Sequence, residues 1–157
     1  MSYLKLIKLL YLLDREALLR WGRPVSQDRY VSMDNGPVLS RTYDLIVEGT
    51  EQSSFWCQHI SIPERYEVYL LKPAPSDELS EAEEELIDEI FQKYGRLSRW
   101  DLVRLTHKLP EWRDPEGSSV PFDLEDILKA AGKSEQQIQS IEDELESLAT
   151  VESLSRR

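Results

Sequence analysis

Three side chains in this sequence could build a thiol–imidazole dyad or hold a soft metal: Cys57, His59 and His107. Cys57 and His59 stand two apart, so on an extended strand they would share a face. A structural zinc site takes four nitrogen or sulfur ligands, and three such groups completed by a carboxylate would be an unusual set. Packing is the plainer reading, so neither a metal nor a cofactor is expected. A dyad of Cys57 with either histidine would need an arrangement that the sequence does not display. There is no G-x-S-x-G, no glycine-rich phosphate loop and no H-E-x-x-H. The run E-A-E-E-E at 81–85 suits a solvated first helical turn favoured by the helix dipole and needs no acid–base role. These residues lead to the expectation that the protein is not an enzyme.

The elements that would carry such groups are those of one domain. At 157 residues, with 40% hydrophobic and 31% charged content, the chain can bury a core. One domain over 1–150 is expected, with a frayed tail at 151–157. A single cysteine rules out an internal disulfide framework and fits a reducing cytoplasm. The longest unbroken apolar run, residues 9–13, is far too short to span a membrane, and no secretory signal is legible. Residues 1–50 are near neutral, and the whole acidic excess behind the net charge of −11 falls after residue 50. Duplex binding needs cationic side chains to displace counterions, so nucleic acid is disfavoured as a partner.

Periodicity predicts a first helix over Tyr3–Trp21, stopped by Gly22, with apolar stripes broad enough to make it central. Lys5, Lys8 and Arg15 are assigned to its remaining surface. RYVSM at 29–33 reads as extended, Asp34-Asn35-Gly36 as a turn, and Pro37 as the first position of a second helix ending at Gly49. Aromatic and β-branched residues in FWCQHISI (55–62) and EVYLL (67–71) predict a two-stranded hairpin, with RYVSM able to add a third strand. Ser80 and Glu83 open a helix to Tyr94 whose inner face includes Ala82 and Phe91, and Ser98 and Asp101 open one over 99–108. Residues 113–121 read as a loop. Asp123 caps a short helix through Ala131, and Ser134 with Gln137 opens the last one. The fold expected is mainly α (α+β): five or six helices with a small antiparallel hairpin or three-stranded sheet packed on them.

Some polar residues sit where burial would be costly. Asp14 lies among apolar positions of the first helix and should have a cationic or backbone-amide partner. His107 shares a helical face with Trp100 and Val103, reads as a buried, hydrogen-bonded histidine, and could meet Asp14 across the core. Trp112 could pack inward or anchor a partner.

Four blocks carry a family likeness: KLIKLLYLLDRE (5–16), GRPV (22–25), DRYVSMDNGPV (28–38) and LVRLTHKLPEW (102–112), with a weaker continuation in ILKAAGKS (127–134). In order and spacing they resemble the SocA/Panacea group of antitoxin domains, over roughly residues 3–112. The resemblance implies a mostly helical domain that binds a protein toxin directly and neutralises it, in one branch as an adaptor presenting the toxin to a Clp-type protease. The competing readings are a DNA-binding transcriptional regulator and a phage-derived interaction protein without a toxin. Two departures stand out. Family members commonly carry a further helix before KLLY, where this chain has Met1 almost at the motif; its absence would uncover leucines and favour a homodimer. They also often place a histidine before GPV, where Asn35 stands here. The positions expected to serve integrity or partner contact are Lys5, Lys8, Tyr11, Asp14, Tyr30, Gly36, Pro37, His107 and Trp112. Lys5, Lys8 and Tyr11 are the contact candidates because they lie off the leucine stripe. Gly36 and Pro37 are expected to set backbone geometry.

Overall fold

Helix α1, Tyr3–Trp21, is apolar on so many sides that it can only be satisfied by neighbours all round it. It ends where expected: Gly22 takes a left-handed conformation, φ 71°, and its amide donates to the Leu18 carbonyl at 2.9 Å. The computed structural model describes residues 1–49 and 54–155. Among them are seven helices and one three-stranded antiparallel sheet, an α+β domain with α1 as its axle.

Three apolar clusters share that axle. Leu9, Leu12, Leu13 and Ala17 pack on Leu86 and Ile90 of α4 (Glu81–Tyr94) and Leu102 of α5 (Arg99–His107). Tyr11 and Leu18 pack on Tyr30 of β1 (Tyr30–Met33), Leu39 of β2 (Gly36–Leu39), Ile127 and Leu128 of α6 (Leu124–Ala130) and Ile138 of α7 (Glu135–Ser155). Ile7 joins Val38, Val68 and Ile46, the last from α2 (Ser40–Val47).

In the sheet β1 is central. It pairs with β2 through the turn at Asp34-Asn35, Met33 opposite Gly36, and on its other side with β3 (Val120–Phe122), Tyr30 opposite Phe122. Both outer strands carry a proline, Pro37 in β2 and Pro121 in β3. Two expectations change here. Pro37 belongs to a strand and does not open the second helix, which begins at Ser40 because its first amides are capped from afar. Asp28 accepts from the backbone N–H of Arg41 and Thr42, each at 2.9 Å. The third strand begins within the stretch read as loop, at Val120, and ends just past it.

The expected hairpin at 55–71 is also revised. Ser54 Oγ accepts from the Cys57 amide at 3.3 Å and opens a short helix, α3 (Phe55–His59), in place of a strand. What survives of the pairing is two isolated antiparallel bridges, Ile60 with Leu70 and Glu64 with Glu67. The segment is instead fastened to the start of the chain, where Tyr3 N–H donates to the Tyr66 carbonyl and Val68 N–H to that of Met1, both at 2.9 Å. Backbone amides at chain ends are satisfied there by a neighbouring segment, which aromatic content alone does not reveal.

The helix starts at Ser80, Ser98 and Asp123 are reciprocal capping boxes with Glu83, Asp101 and Asp126. Ala82 and Phe91, assigned by periodicity to the inner face of α4, are exposed. The last turns of α7, residues 151–155, are helical and exposed, while 156–157 lie outside the described residues.

Candidate functional site

Helical spacing places Lys8, Tyr11 and Arg15 at i, i+3 and i+7 on α1, facing β2 and the turn that follows α5. Burial removes Lys8 and Tyr11 from the surface at which they were expected to meet a partner. Lys8 and Tyr11 are fully buried, and Lys5 is half-buried. Lys8 Nζ donates to the Pro37 carbonyl at 2.7 Å, and burial pushes its ammonium down to about 7. Lys5 Nζ donates to the Gly95 carbonyl at 2.6 Å and so closes the C-terminal end of α4. The Tyr11 hydroxyl donates to Glu111 Oε1, and burial together with the Glu111 carboxylate raises its phenol above the ordinary range. Arg15 Nε donates to the same oxygen, forming an ion pair whose carboxylate is fully buried. Glu111 escaped the sequence reading, although it lies inside the quoted LVRLTHKLPEW block. No periodicity marks it, because it follows Pro110 in a turn.

Asp14 has the backbone-amide partners it was expected to need. Its carboxylate accepts from Val25 N–H at 3.0 Å, Ser26 N–H at 2.8 Å and the Ser26 hydroxyl, with the Tyr30 hydroxyl at 3.4 Å. Burial raises its carboxyl above the ordinary value, opposed by those Ser26, Val25 and Tyr30 hydrogen bonds. It does not meet His107, as the sequence had allowed. His107 instead stacks on Trp112, ring centroids 4.1 Å apart and planes 16° from parallel. Its Nε2 is buried without a hydrogen-bond partner among the described residues, which corrects the expected hydrogen-bonded histidine. Trp112 packs inward, its indole N–H donating to the Met33 carbonyl at 3.1 Å.

Gly36 explains itself from both backbone and space. Its φ is 94°, and a Cβ there would stand 2.7 Å from Thr106 Oγ1 and 3.1 Å from Lys8 Nζ. The blocks 5–16, 28–38 and 102–112 therefore meet in one buried polar seam, in which Lys8, Tyr11, Arg15, Gly36, Pro37, His107, Glu111 and Trp112 hold α1, the β1–β2 hairpin and the end of α5 together. Tyr30 sits beside it, stacked on Phe122 and edge-on to Tyr11.

The groups free to meet a partner lie elsewhere. Phe55, Ile62, Tyr66, Tyr69, Leu70 and Leu71 are all exposed, from 52% for Tyr69 to 76% for Ile62. Their segment is held from beneath by Val68, Trp56 and Ile60 in the third cluster. Sequence reasoning missed this face because it assigned all of these residues but Tyr66 to the strands of a hairpin packed on helices. His59 Nδ1 contacts the Phe55 carbonyl at 2.9 Å, and its ring lies 4.2 Å from that of Phe55. No group of three or more His, Cys, Asp or Glu among the described residues could hold a metal ion, and no described helix is long and apolar enough to cross a membrane.

Comparison with curated proteins and with solved structures returned no match. The family model for antitoxin SocA-like proteins, Panacea domain, matches residues 6–113, from α1 through the Trp112 turn, and so takes in the whole polar seam. This chain belongs to the SocA-like antitoxin family and carries its Panacea domain.

Proposed function

We propose that this protein is the antitoxin of a toxin–antitoxin pair, acting in the cytoplasm by binding its toxin directly and covering the toxin's working surface. It makes and breaks no bond of its own. The observation that carries this reading is the face at residues 55–71. A chain that leaves six large apolar side chains more than half exposed on one anchored segment has a surface suited to another polypeptide. Tyrosine and phenylalanine there supply large contact area at low entropic cost. Family membership supplies the class of partner. In the finer reading, the bound toxin is presented to a Clp-type protease. The acidic surface works against the transcriptional alternative, because −11 net charge repels a phosphate backbone.

Growth of cells expressing the toxin gene adjacent to this one, with and without this chain, tests the reading. Rescue is expected, together with its loss when Phe55, Tyr66 and Leu70 are all replaced by serine. Rescue by the triple variant would move the toxin interface elsewhere, and failure with every neighbouring toxic gene would overturn the antitoxin reading.

A further inference from the structure

The last helix leaves the body of the protein in an unusual state. Its root is docked: Ile138 is buried in the second cluster and Ile141 packs at Gly22. Beyond it, Leu148, Val151 and Leu154 follow at three-residue intervals with 42%, 60% and 62% of their surface exposed. Leu148 also lines a cleft with Pro24, Leu124, Leu145 and Ala149, whose polar side carries Arg23, Asp28 and Glu152, so the apolar stripe begins at the cleft and continues outward along the helix. Within residues 135–155 there are six carboxylates and no lysine or arginine, and Arg156 and Arg157 follow them in the sequence. Glu142 and Glu146 repel at i, i+4, and Glu144 lies on the face of Leu148 and Val151 at i+4 and i+7. The helix lies outside the matched family region, 6–113. A bare apolar stripe and an unbalanced run of like charge both cost free energy in the lone chain.

We propose that residues 145–155 are a docking surface for a cationic amphipathic helix of a partner protein. Such an occupant removes both costs at once: its leucine-type face covers Leu148, Val151 and Leu154, and its lysines or arginines meet carboxylates such as Glu144. A second copy of this chain fits worse, because it would set one acidic helix against another. The proposal rests on the antitoxin reading only in naming the occupant's owner, the toxin.

The test uses the full chain and a fluorescent peptide of leucine and lysine patterned as an amphipathic helix, beside a peptide of the same composition with the pattern scrambled. The patterned peptide is expected to bind about tenfold tighter than the scrambled one, and added salt should weaken it. The variant Leu148→Ser/Val151→Ser/Leu154→Ser, checked for unchanged α-helical circular dichroism, should lose that advantage. Equal binding by variant and parent, or by both peptides, overturns the proposal. So does a concentration-dependent dimer that the variant abolishes, since a second copy would then own the stripe. Co-expression separates the two readings. Rescue by the parent but not by the variant supports docking of the toxin on α7, and equal rescue by both removes the toxin from this surface. Absence of rescue by the parent, with peptide binding intact, overturns the antitoxin reading and leaves the docking surface standing.

Discussion

The Tyr11 hydroxyl meets Glu111 Oε1 at 2.9 Å across a hundred residues of chain, and Arg15 Nε reaches the same oxygen at 2.6 Å. One buried carboxylate thus ties the central helix to the turn after α5. It is the point where the two ends of the family's shared region are joined.

Removing that carboxylate should do more harm than removing the Tyr11 hydroxyl. Glu111→Ala leaves the Tyr11 hydroxyl and the Arg15 guanidinium unpaired, at a cost of about 3–5 kcal/mol. Tyr11→Phe, which deletes one donor and keeps the ring against Tyr30 and Phe122, should cost about 1–2 kcal/mol. Urea unfolding of both variants measures the order, and a Tyr11→Phe cost equal to that of Glu111→Ala would contradict it.

Asp14→Asn and Asp14→Ala separate shape from charge. The asparagine can still accept from the Val25 and Ser26 amides, so it should lose about 1 kcal/mol, whereas the alanine strands those donors and should lose about 2–4 kcal/mol. Melting temperatures compared across the two variants would show the gap. His107→Ala should leave the effect of either substitution unchanged, because the two residues do not touch.

Much of this architecture can be read locally, and the reasons for the failures are physical. Capping boxes at Ser80, Ser98 and Asp123 are short-range events, so composition locates them. The start of α2 is not local: Asp28 caps it from thirteen residues upstream, and Pro37 therefore misleads. Val120–Phe122 becomes a strand only because Tyr30 and Ser32 offer a ladder. The site shows the same division. Asp14 announces its need for amides by its apolar neighbours. Lys8 and Tyr11 look like surface residues because their partners, Pro37 and Glu111, arrive from distant segments.

Gly36→Ala should destabilise by about 2–4 kcal/mol, since it adds a collision with Thr106 Oγ1 to a left-handed backbone. Gly117→Ala is the control. Gly117 also has a positive φ, 81°, but nothing within 4 Å of a built Cβ, so only about 1 kcal/mol should go. Chemical denaturation of the pair should keep that order, and equal losses would mean that the space around Gly36 is not tight.

Stability should rise with pH just above neutrality. Burial holds Lys8 at about 7 in the folded protein against 10.5 when unfolded. Below that window the group is protonated in both states; within it the unfolded chain binds the extra proton, so alkali favours folding. The Tyr11 and Tyr30 phenols, raised by burial, act oppositely above their ordinary value of 10.0, where the unfolded tyrosines ionise first. Between about pH 7 and 9 the parent should therefore gain roughly 5 °C in melting temperature relative to Lys8→Met. A constant difference between the two proteins would mean that Lys8 keeps its proton throughout.

The prolines of the outer strands have a last consequence. Pro121 offers no amide on one side of the sheet, and on the other Pro37 lacks its N–H while Lys8 occupies its carbonyl. A fourth strand finds no continuous row of donors and acceptors to zip onto. Edge-to-edge pairing of this sheet from copy to copy is disfavoured, and a polypeptide that grips either edge of the sheet must recognise side chains there.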